Sequence, residues 1–299
     1  MHYLGIDYGG TKIKVGYFDE NIKLLNEATY NTKDAISNKT INSIKSLILD
    51  KKVAIGLSIA CFVDQNNKIV GTTNLNDDYL EFIRMLEDNI STNISILNDA
   101  DAALRCELAQ LDKPKTNVCM IVLGTGVGGS ISLNNKMIQG NRGVSSEIGH
   151  LKVCNSYKFK CKCGRIDCLE TLVSTQGFIN LYEYYKESYP NSVLHDFDSI
   201  NVNLIFDHSD DVFARYIIDK ALYYLVQACI QVALICDIEL FIIGGGISLL
   251  LEDEIEYINK LFKENAHYLQ HETLFQIAAN KNQAGIKGAV LYAKEEQVK

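Results

Sequence analysis

The sequence predicts an α/β protein built in two related halves, and three observations carry that prediction. A strand–glycine turn–strand pattern occurs twice, at residues 2–18 and 118–133. Around these units, segments of helical periodicity alternate with short apolar runs bounded by turn residues, as in an α/β layer. A loop at residues 146–170 gathers Cys161, Cys163 and Cys168, with His150 upstream. At 299 residues, 47% hydrophobic and 22% charged, the chain can build one large or two ordinary domains.

Residues 2–18 read H-Y-L-G-I-D-Y-G-G-T-K-I-K-V-G-Y-F. Apolar residues flank Gly9 and Gly10, and alternation follows at Ile13, Val15 and Tyr17. This predicts a β-hairpin whose turn runs from Asp7 to Lys12. Two glycines let the backbone approach a ligand, and successive turn N–H groups can form an anion-binding nest. Taken alone, the pattern is that of a plain turn. The spacing of Ile36, Ile41, Ile44, Leu47 and Ile48 predicts an amphipathic helix over 33–50. A strand over 53–63, a helix over 79–90 and a strand over 94–97 follow. Then L-N-D-A-D-A-A-L-R-C-E, residues 97–107, passes from strand end to Ala-rich helix. Asn98 and Asp99 sit at that junction. Both are preferred helix N-cap residues. Strand ends in α/β sheets are also where ligands bind, and a carboxylate there can take a proton from a hydroxyl nucleophile.

Pro114 and Lys115 mark the expected hinge. After it, residues 118–133 read V-C-M-I-V-L-G-T-G-V-G-G-S-I-S-L. The segment 124–130 aligns with 5–11 without a gap, which makes the pattern an internal duplication. Two such turns facing each other would form a two-sided phosphate clamp. Gly124, Gly126 and Gly129 satisfy G-x-G-x-x-G. A strand pattern rather than a helix follows them, which excludes a dinucleotide-binding unit, and no P-loop motif is present. Further on, 182–205 is polar and Tyr-rich without a motif, and 212–236 reads as one long, mostly buried helix. The uncharged run 221–236 within it is too short to span a bilayer comfortably. Residues 237–248, D-I-E-L-F-I-I-G-G-G-I-S, read as a buried strand entering three glycines. Such a strand end can let a flat ring approach the backbone, or can be a tight strand–helix turn. A closing helix is expected over 285–296.

Three cysteines and a histidine at this spacing point to a tetrahedral zinc site, because thiolate and imidazole are a common donor set. The C-x-C step followed by Gly164 can turn two sulfurs toward one point. Spacing alone leaves two sets open: His150 with Cys161, Cys163 and Cys168, or Cys154 with the same three. Glu147 and Glu170 bracket the cluster, so a metal-tied loop is expected to hold polar side chains on the wall of a small-molecule cleft. The nine cysteines are an odd number, and no signal-peptide pattern opens the sequence. The thiols are therefore read as reduced and the protein as cytoplasmic. The formal net charge of −8 and pI near 5.3, without a basic patch, argue against a nucleic-acid partner.

In combination, D-Y-G-G-T-K, L-N-D-A-D-A-A-L, G-T-G-V-G-G, E-I-G-H, C-x-C-G-x-x-x-C-L-E, I-G-G-G-I-S and A-G-I-K-G-A-V closely resemble the ROK (repressor, open reading frame, kinase) family of sugar kinases over nearly the whole chain. The resemblance implies a two-lobed actin-like ATPase (ribonuclease H-like) fold. The lobes would cover residues 1–115 and 116–299, with the last helix, 285–299, packing back on the first. It implies ATP with Mg²⁺, and transfer of the γ-phosphoryl group to a hydroxyl, usually O6, of a hexose or N-acylhexosamine such as glucose, N-acetylmannosamine or N-acetylglucosamine. Carried over by position, Asp99 would be the catalytic base. Asn98, Glu147, His150 and Glu170 would hold sugar hydroxyls. Gly9, Gly10, Thr11, Lys12, Thr125 and Gly126 would cradle phosphates, Gly244 and Gly245 would lie against adenosine, and Asp7 would orient Mg²⁺. Zinc would be held by His150, Cys161, Cys163 and Cys168, with His150 preferred over Cys154. A homodimer is the family's habit, and no membrane partner is expected. The alternative is a non-catalytic, sugar-responsive regulator or binding protein. Regulators of the family carry a helix-turn-helix segment before the first hairpin, which here begins at residue 2.

Four departures stand out. Ala60-Cys61 replaces a frequent Pro-Gly pair near the sugar pocket. Ser146 and Asp167 stand where glycine is usual. Asn76-Asp77 follows the Asn74-Leu75 pair where Pro-Gly is common.

Overall fold

The computed structural model describes residues 1–49, 52–64, 68–72, 78–90, 92–267, 273–280 and 283–297. Two compact units emerge. The first comprises Met1–Pro114, Met137–Ser145 and Asn280–Lys299, and the second Lys115–Lys136 and Ser146–Ala279. The Asn74-Leu75 pair and Asn76-Asp77 lie outside the described residues.

The first unit opens with β1 (His2–Tyr8), β2 (Lys12–Phe18) and β3 (Leu24–Asn31). The hairpin predicted around Gly9 and Gly10 forms, with Tyr8 opposite Ile13 and Asp7 opposite Lys14. The expected helix over 33–50 is shorter. A 3₁₀ turn at Thr32–Asp34 precedes α1 (Asn38–Ser46). Ser37 sets the new start: its Oγ accepts the Thr40 N–H, and the Ser37 and Thr40 hydroxyls both donate to the Asp34 carbonyl. The strand expected over 53–63 divides at Ala60 into β4 (Val53–Ile59) and β5 (Cys61–Val63), and β5 pairs with β6 (Ile69–Thr72) as a separate ribbon. Next come α2 (Asp78–Ile90), β7 (Ile94–Asn98) and α3 (Asp99–Leu108).

These strands form one sheet in the order β3-β2-β1-β4-β7. The parallel register sets Asp7 beside Ser58, and Ile59 beside Asn98. Asp7, Ser58 and Asn98 therefore approach one edge of the sheet, the carboxyl end of its parallel strands, where α/β sheets bind ligands. One face packs Ile6, Tyr8, Ile55, Leu57 and Ile59 against Ile41 and Ile44 of α1 and Phe82 and Leu86 of α2.

In the second unit, β8 (Val118–Leu123), β9 (Val127–Leu133), β10 (Lys136–Met137), β11 (Leu240–Gly244) and β12 (Leu274–Ile277) make a sheet in the order β10-β9-β8-β11-β12. Its helices are α4 (Glu170–Val173), α5 (Thr175–Tyr185), α6 (Val202–Asp207), α7 (Val212–Cys236) and α8 (Ile255–Asn265). The long helix α7 starts where Asp211 accepts the Phe213 and Ala214 N–H groups. By length and composition it could cross a membrane, but 61% of its most apolar stretch is buried within the protein, which makes it a core helix.

The closing helix α9 (Ala284–Glu296) belongs to the first unit and covers the other face of its sheet. It lies very close. A Cβ on Gly56 would stand 1.9 Å from the Ala289 carbonyl oxygen, and one on Gly5 2.2 Å from that of Ile286. Side chains larger than hydrogen are excluded at both positions, since even a methyl needs ordinary van der Waals distance.

Candidate functional site

In the first unit the predicted residues converge at the carboxyl edge of the sheet. The turn after β1 closes with the Gly9 N–H donating to the Lys12 carbonyl at 3.0 Å. Gly10, Thr11 and Lys12 are exposed there. Asp7 is part-buried, and its Oδ1 accepts a hydrogen bond from the Ser58 hydroxyl at 3.0 Å. Gly285, at the start of α9, leaves room for that carboxylate: a Cβ there would stand 2.4 Å from its carbon. Burial pushes Asp7 above the usual carboxylate range, with the Ser58 hydroxyl and Lys14 pulling back.

Asn98 ends β7 as the N-cap of α3. Its Oδ1 accepts the Ala100 N–H at 2.8 Å, and its Nδ2 donates to the Cys61 carbonyl at 3.0 Å. The cap and site readings of Asn98 are compatible, because an amide nitrogen has a second N–H to give. Asp99 follows. Its carboxylate keeps open surface, yet it is crowded enough that desolvation and the Asp7 carboxylate push it up to about 6. Such a group is ionised at neutral pH and still accepts a proton readily. Cys61, on the segment that departs from the family pattern, is buried, and burial together with Asp99 pushes its thiol up to about 12.

The second unit brings together His150, Cys161, Cys163 and Cys168, whose donor atoms all lie within 4.8 Å of one another. His150 ends a 3₁₀ turn, Ile148–His150. The cysteines sit on a small loop closed by the Cys161 N–H to Arg165 carbonyl bond at 2.8 Å and turned at Gly164, φ +86°. The Phe159 N–H donates to Asp167 Oδ1 at 2.8 Å, and Asp167 adopts φ +55°. The Cys163 and Cys168 sulfurs are 3.6 Å apart, and Cys161 Sγ is 3.5 Å from His150 Nδ1. Zn–S bonds of ~2.3 Å and Zn–N bonds of ~2.0 Å at tetrahedral angles require edges of about 3.8 and 3.5 Å. These two separations match the edges of a zinc tetrahedron, and the four donors together are compatible with the ion. Cys154, the alternative the spacing left open, stands outside the group and interacts with Tyr224 instead.

His150 directs Nδ1 at the sulfurs, while its Nε2 lies 3.8 Å from Glu147 Oε2. Burial and the nearby Glu170 carboxylate push Glu147 up, and His150 pulls it down. Glu170, the first residue of α4, has Oε1 4.0 Å from Cys161 Sγ. Its Oε2 accepts the Val127 N–H of the second glycine turn at 3.1 Å. A Cβ on Gly126 would stand 2.7 Å from that oxygen, so a larger residue there would have to displace the Glu170 carboxylate. Thr125 is exposed at the tip of the turn. Gly244 ends β11, and Gly245 takes φ +87° with its Cβ position 2.2 Å from the Leu123 carbonyl oxygen, so only glycine fits.

Sequence reasoning missed three participants. Ser58 is a lone hydroxyl in the apolar run V-A-I-G-L-S-I, a signal that could have marked it. Gly285 matters only through the approach of α9 to Asp7. The Val127 N–H, a backbone group, carries no sequence signal.

Comparison with known proteins sets this geometry in context. The ROK family model matches residues 3–296. A glucokinase of Halalkalibacterium halodurans is 27% identical over 315 residues, covering 99% of this chain and 96% of that protein. An N-acetylmannosamine kinase of Vibrio cholerae is 30% identical over 271 residues, covering 87% of this chain and 88% of its own. The crystal structure of a ROK family glucokinase from Streptomyces griseus in complex with glucose and AMPPNP superposes with a TM-score of 0.78 at 24% identity, over 99% of this chain and 100% of that one.

Proposed function

The chain belongs to the ROK family, and from that premise we propose that it is an ATP-dependent sugar kinase acting on O6 of a hexose or N-acylhexosamine. The observation that carries the reading is Asp99, an accessible carboxylate at the end of β7 that is held near 6 beside Asp7. In the proposed reaction Asp99 takes the proton of the sugar hydroxyl as that oxygen bonds to the γ-phosphorus, and ADP departs with the electrons of the broken P–O bond. Asn98, Glu147, His150 and Glu170 hold sugar hydroxyls. The N–H groups of the glycine turns at residues 9–12 and 125–126 receive phosphate oxygens, and Gly244 and Gly245 lie along the adenosine.

Mg²⁺, when bound, neutralises phosphate charge; Asp7 is the residue that would hold it, and a carboxylate is a suitable hard donor. Zinc is structural in this reading, held by His150, Cys161, Cys163 and Cys168, and it fixes the segment that carries Glu147 and Glu170. The proposal extends to a cytoplasmic homodimer without nucleic-acid or membrane partners.

The test is ADP release from Mg·ATP across a panel of aldoses, N-acylhexosamines and β-glucosides. One sugar well above the rest supports the reading and names the substrate. Zinc-loaded protein that turns over none of them refutes it.

A further inference from the structure

The two glycine turns share a feature that lies outside both matched segments. In the first unit, the Thr32 hydroxyl donates to the Gly9 carbonyl at 2.7 Å, and the Thr32 N–H donates to the Thr11 carbonyl at 3.0 Å. In the second, Thr175 donates to the Gly124 carbonyl twice, from its N–H at 2.8 Å and from its hydroxyl at 3.0 Å. In the fold Gly9 and Gly124 hold corresponding places, each the first residue after its strand and just before the exposed tip of its turn; this shifts the ungapped sequence match by four residues, because that match had set Gly124 against Gly5 inside β1. The two threonines are not related by the duplication: Thr32 follows β3, and Thr175 is the first residue of α5.

The consequence follows from peptide geometry. In a planar trans peptide the C=O and the next N–H point in opposite directions. Fixing the Gly9 carbonyl therefore aims the Gly10 N–H away from Thr32, and fixing the Gly124 carbonyl aims the Thr125 N–H away from Thr175. Gly10 and Thr125 are both exposed. A glycine peptide left unpinned can flip and present its carbonyl, whose partial negative charge repels an anion.

We propose that Thr32 and Thr175 are positioning residues that pin the Gly9 and Gly124 carbonyls so that the Gly10 and Thr125 N–H groups face the nucleotide phosphates. The proposal rests on the kinase reading above. It makes an unequal prediction. The Gly9 carbonyl loses the Thr32 bond when that hydroxyl is removed, whereas the Gly124 carbonyl keeps the Thr175 N–H.

Calorimetric binding of Mg·ATP, Mg·ADP and adenosine is the test, on the wild type and on Thr32→Val, Thr32→Ser, Thr175→Val and Thr175→Ser. Thr32→Val is expected to weaken ATP and ADP about tenfold and Thr175→Val about threefold, in the range of one lost hydrogen bond. Adenosine affinity should stay unchanged in all variants, and both serine variants should bind as the wild type does. Unchanged ATP affinity in the valine variants overturns the proposal, and so does an equal loss for ATP and adenosine. Should valine prevent folding, the Ser and Ala variants at each position provide the same comparison. A wild type that binds no ATP removes the kinase reading, and this inference with it, whereas a wild type that binds ATP with indifferent variants removes the inference alone.

Discussion

Replacing Asp99 by asparagine removes a proton acceptor and little else. The Asp99 Oδ1 accepts the Ala100 N–H at 2.9 Å, and an asparagine oxygen can keep that bond, so the start of α3 should survive. General-base catalysis contributes roughly 10²–10⁴-fold, and kcat for Asp99→Asn should fall within that range while sugar binding holds. The wild type adds an independent signature. Its Asp99 carboxyl is raised to about 6, first by desolvation and then by Asp7. A raised carboxyl pKa means that the folded state binds the proton more tightly than the unfolded chain does. The resulting stabilisation is present below the unfolded value near 3.8 and is lost as pH rises through about 6. Activity runs the other way, because the ionised form is the base. Thus kcat/KM should be about one-tenth of its plateau one pH unit below the pKa and level off above neutrality. Removing the Asp7 charge with Asp7→Asn should move this acidic limb to lower pH, even where the overall rate drops. The assay is initial ADP release from about pH 4.5 to 8.5 at subsaturating sugar, with calorimetry of the sugar alone. Turnover of Asp99→Asn within tenfold of wild type, or a wild-type rate flat between pH 5 and 7, would refute the assignment.

Three further outcomes are expected. Metal analysis should find close to one zinc per chain, lost in Cys163→Ser and retained in Cys154→Ser; loss in both variants would make Cys154 the fourth ligand in place of His150. Ser146→Gly should stabilise the fold by about 1 kcal/mol, since Ser146 holds φ +62° and buries an Oγ without a hydrogen-bond partner among the described residues; a lower unfolding midpoint in urea would contradict this. Glu107 is almost wholly buried and accepts the Asn280 N–H at 2.8 Å and its Nδ2 at 3.2 Å. Glu107→Ala should cost about 1–2 kcal/mol by leaving the Asn280 N–H unpaired, while Nδ2 keeps its bond to Gln110 Oε1 at 2.9 Å; the loss is read as a lower unfolding midpoint, whereas an unchanged midpoint would show that the carboxylate carries no net stability.

What could be read from the sequence depended on how local the cause was. The helix Val212–Cys236 ends where expected because its apolar span is bounded by the Asp211 cap and by Asp237 in the left-handed region. The three cysteines were readable because loop spacing limits where their sulfurs can meet, while the choice of His150 over Cys154 came from the family resemblance and not from spacing. The helix over 33–50 was drawn too long because apolar spacing continued through Ile36, while Ser37 and Thr40 bound the Asp34 carbonyl and placed the start later. The strand over 53–63 was drawn unbroken because its composition is continuous, whereas the break at Ala60 arises from pairing with Ile69–Thr72. The Ser58–Asp7 bond was not readable, since it depends on the parallel register of strands more than forty residues apart.

The duplication shows the same division in another form. The sheets β3-β2-β1-β4-β7 and β10-β9-β8-β11-β12 have the same order, each an antiparallel hairpin with one further strand on its outer side and two parallel strands on the other. In the sequence, only the glycine turns betray this. A buried strand tolerates exchange among Val, Ile and Leu with modest penalties, so two strands in equivalent places need not remain alike. A glycine set against another group is replaced only if that group gives way. A Cβ on Gly126 would push the Glu170 carboxylate away from 2.7 Å, and in the first turn one on Gly9 would press on the Lys12 carbonyl oxygen at 3.0 Å. Gly10 and Gly124 meet no such obstacle, having open space at their Cβ positions. Crowding cannot explain glycine there. Under the kinase reading, the space a side chain would occupy belongs to the nucleotide. Gly10→Ala and Gly124→Ala should then leave the unfolding midpoint within about 1 kcal/mol of wild type and weaken ATP more than adenosine. Equal ATP affinity in both variants would return these two glycines to the status of ordinary turn residues.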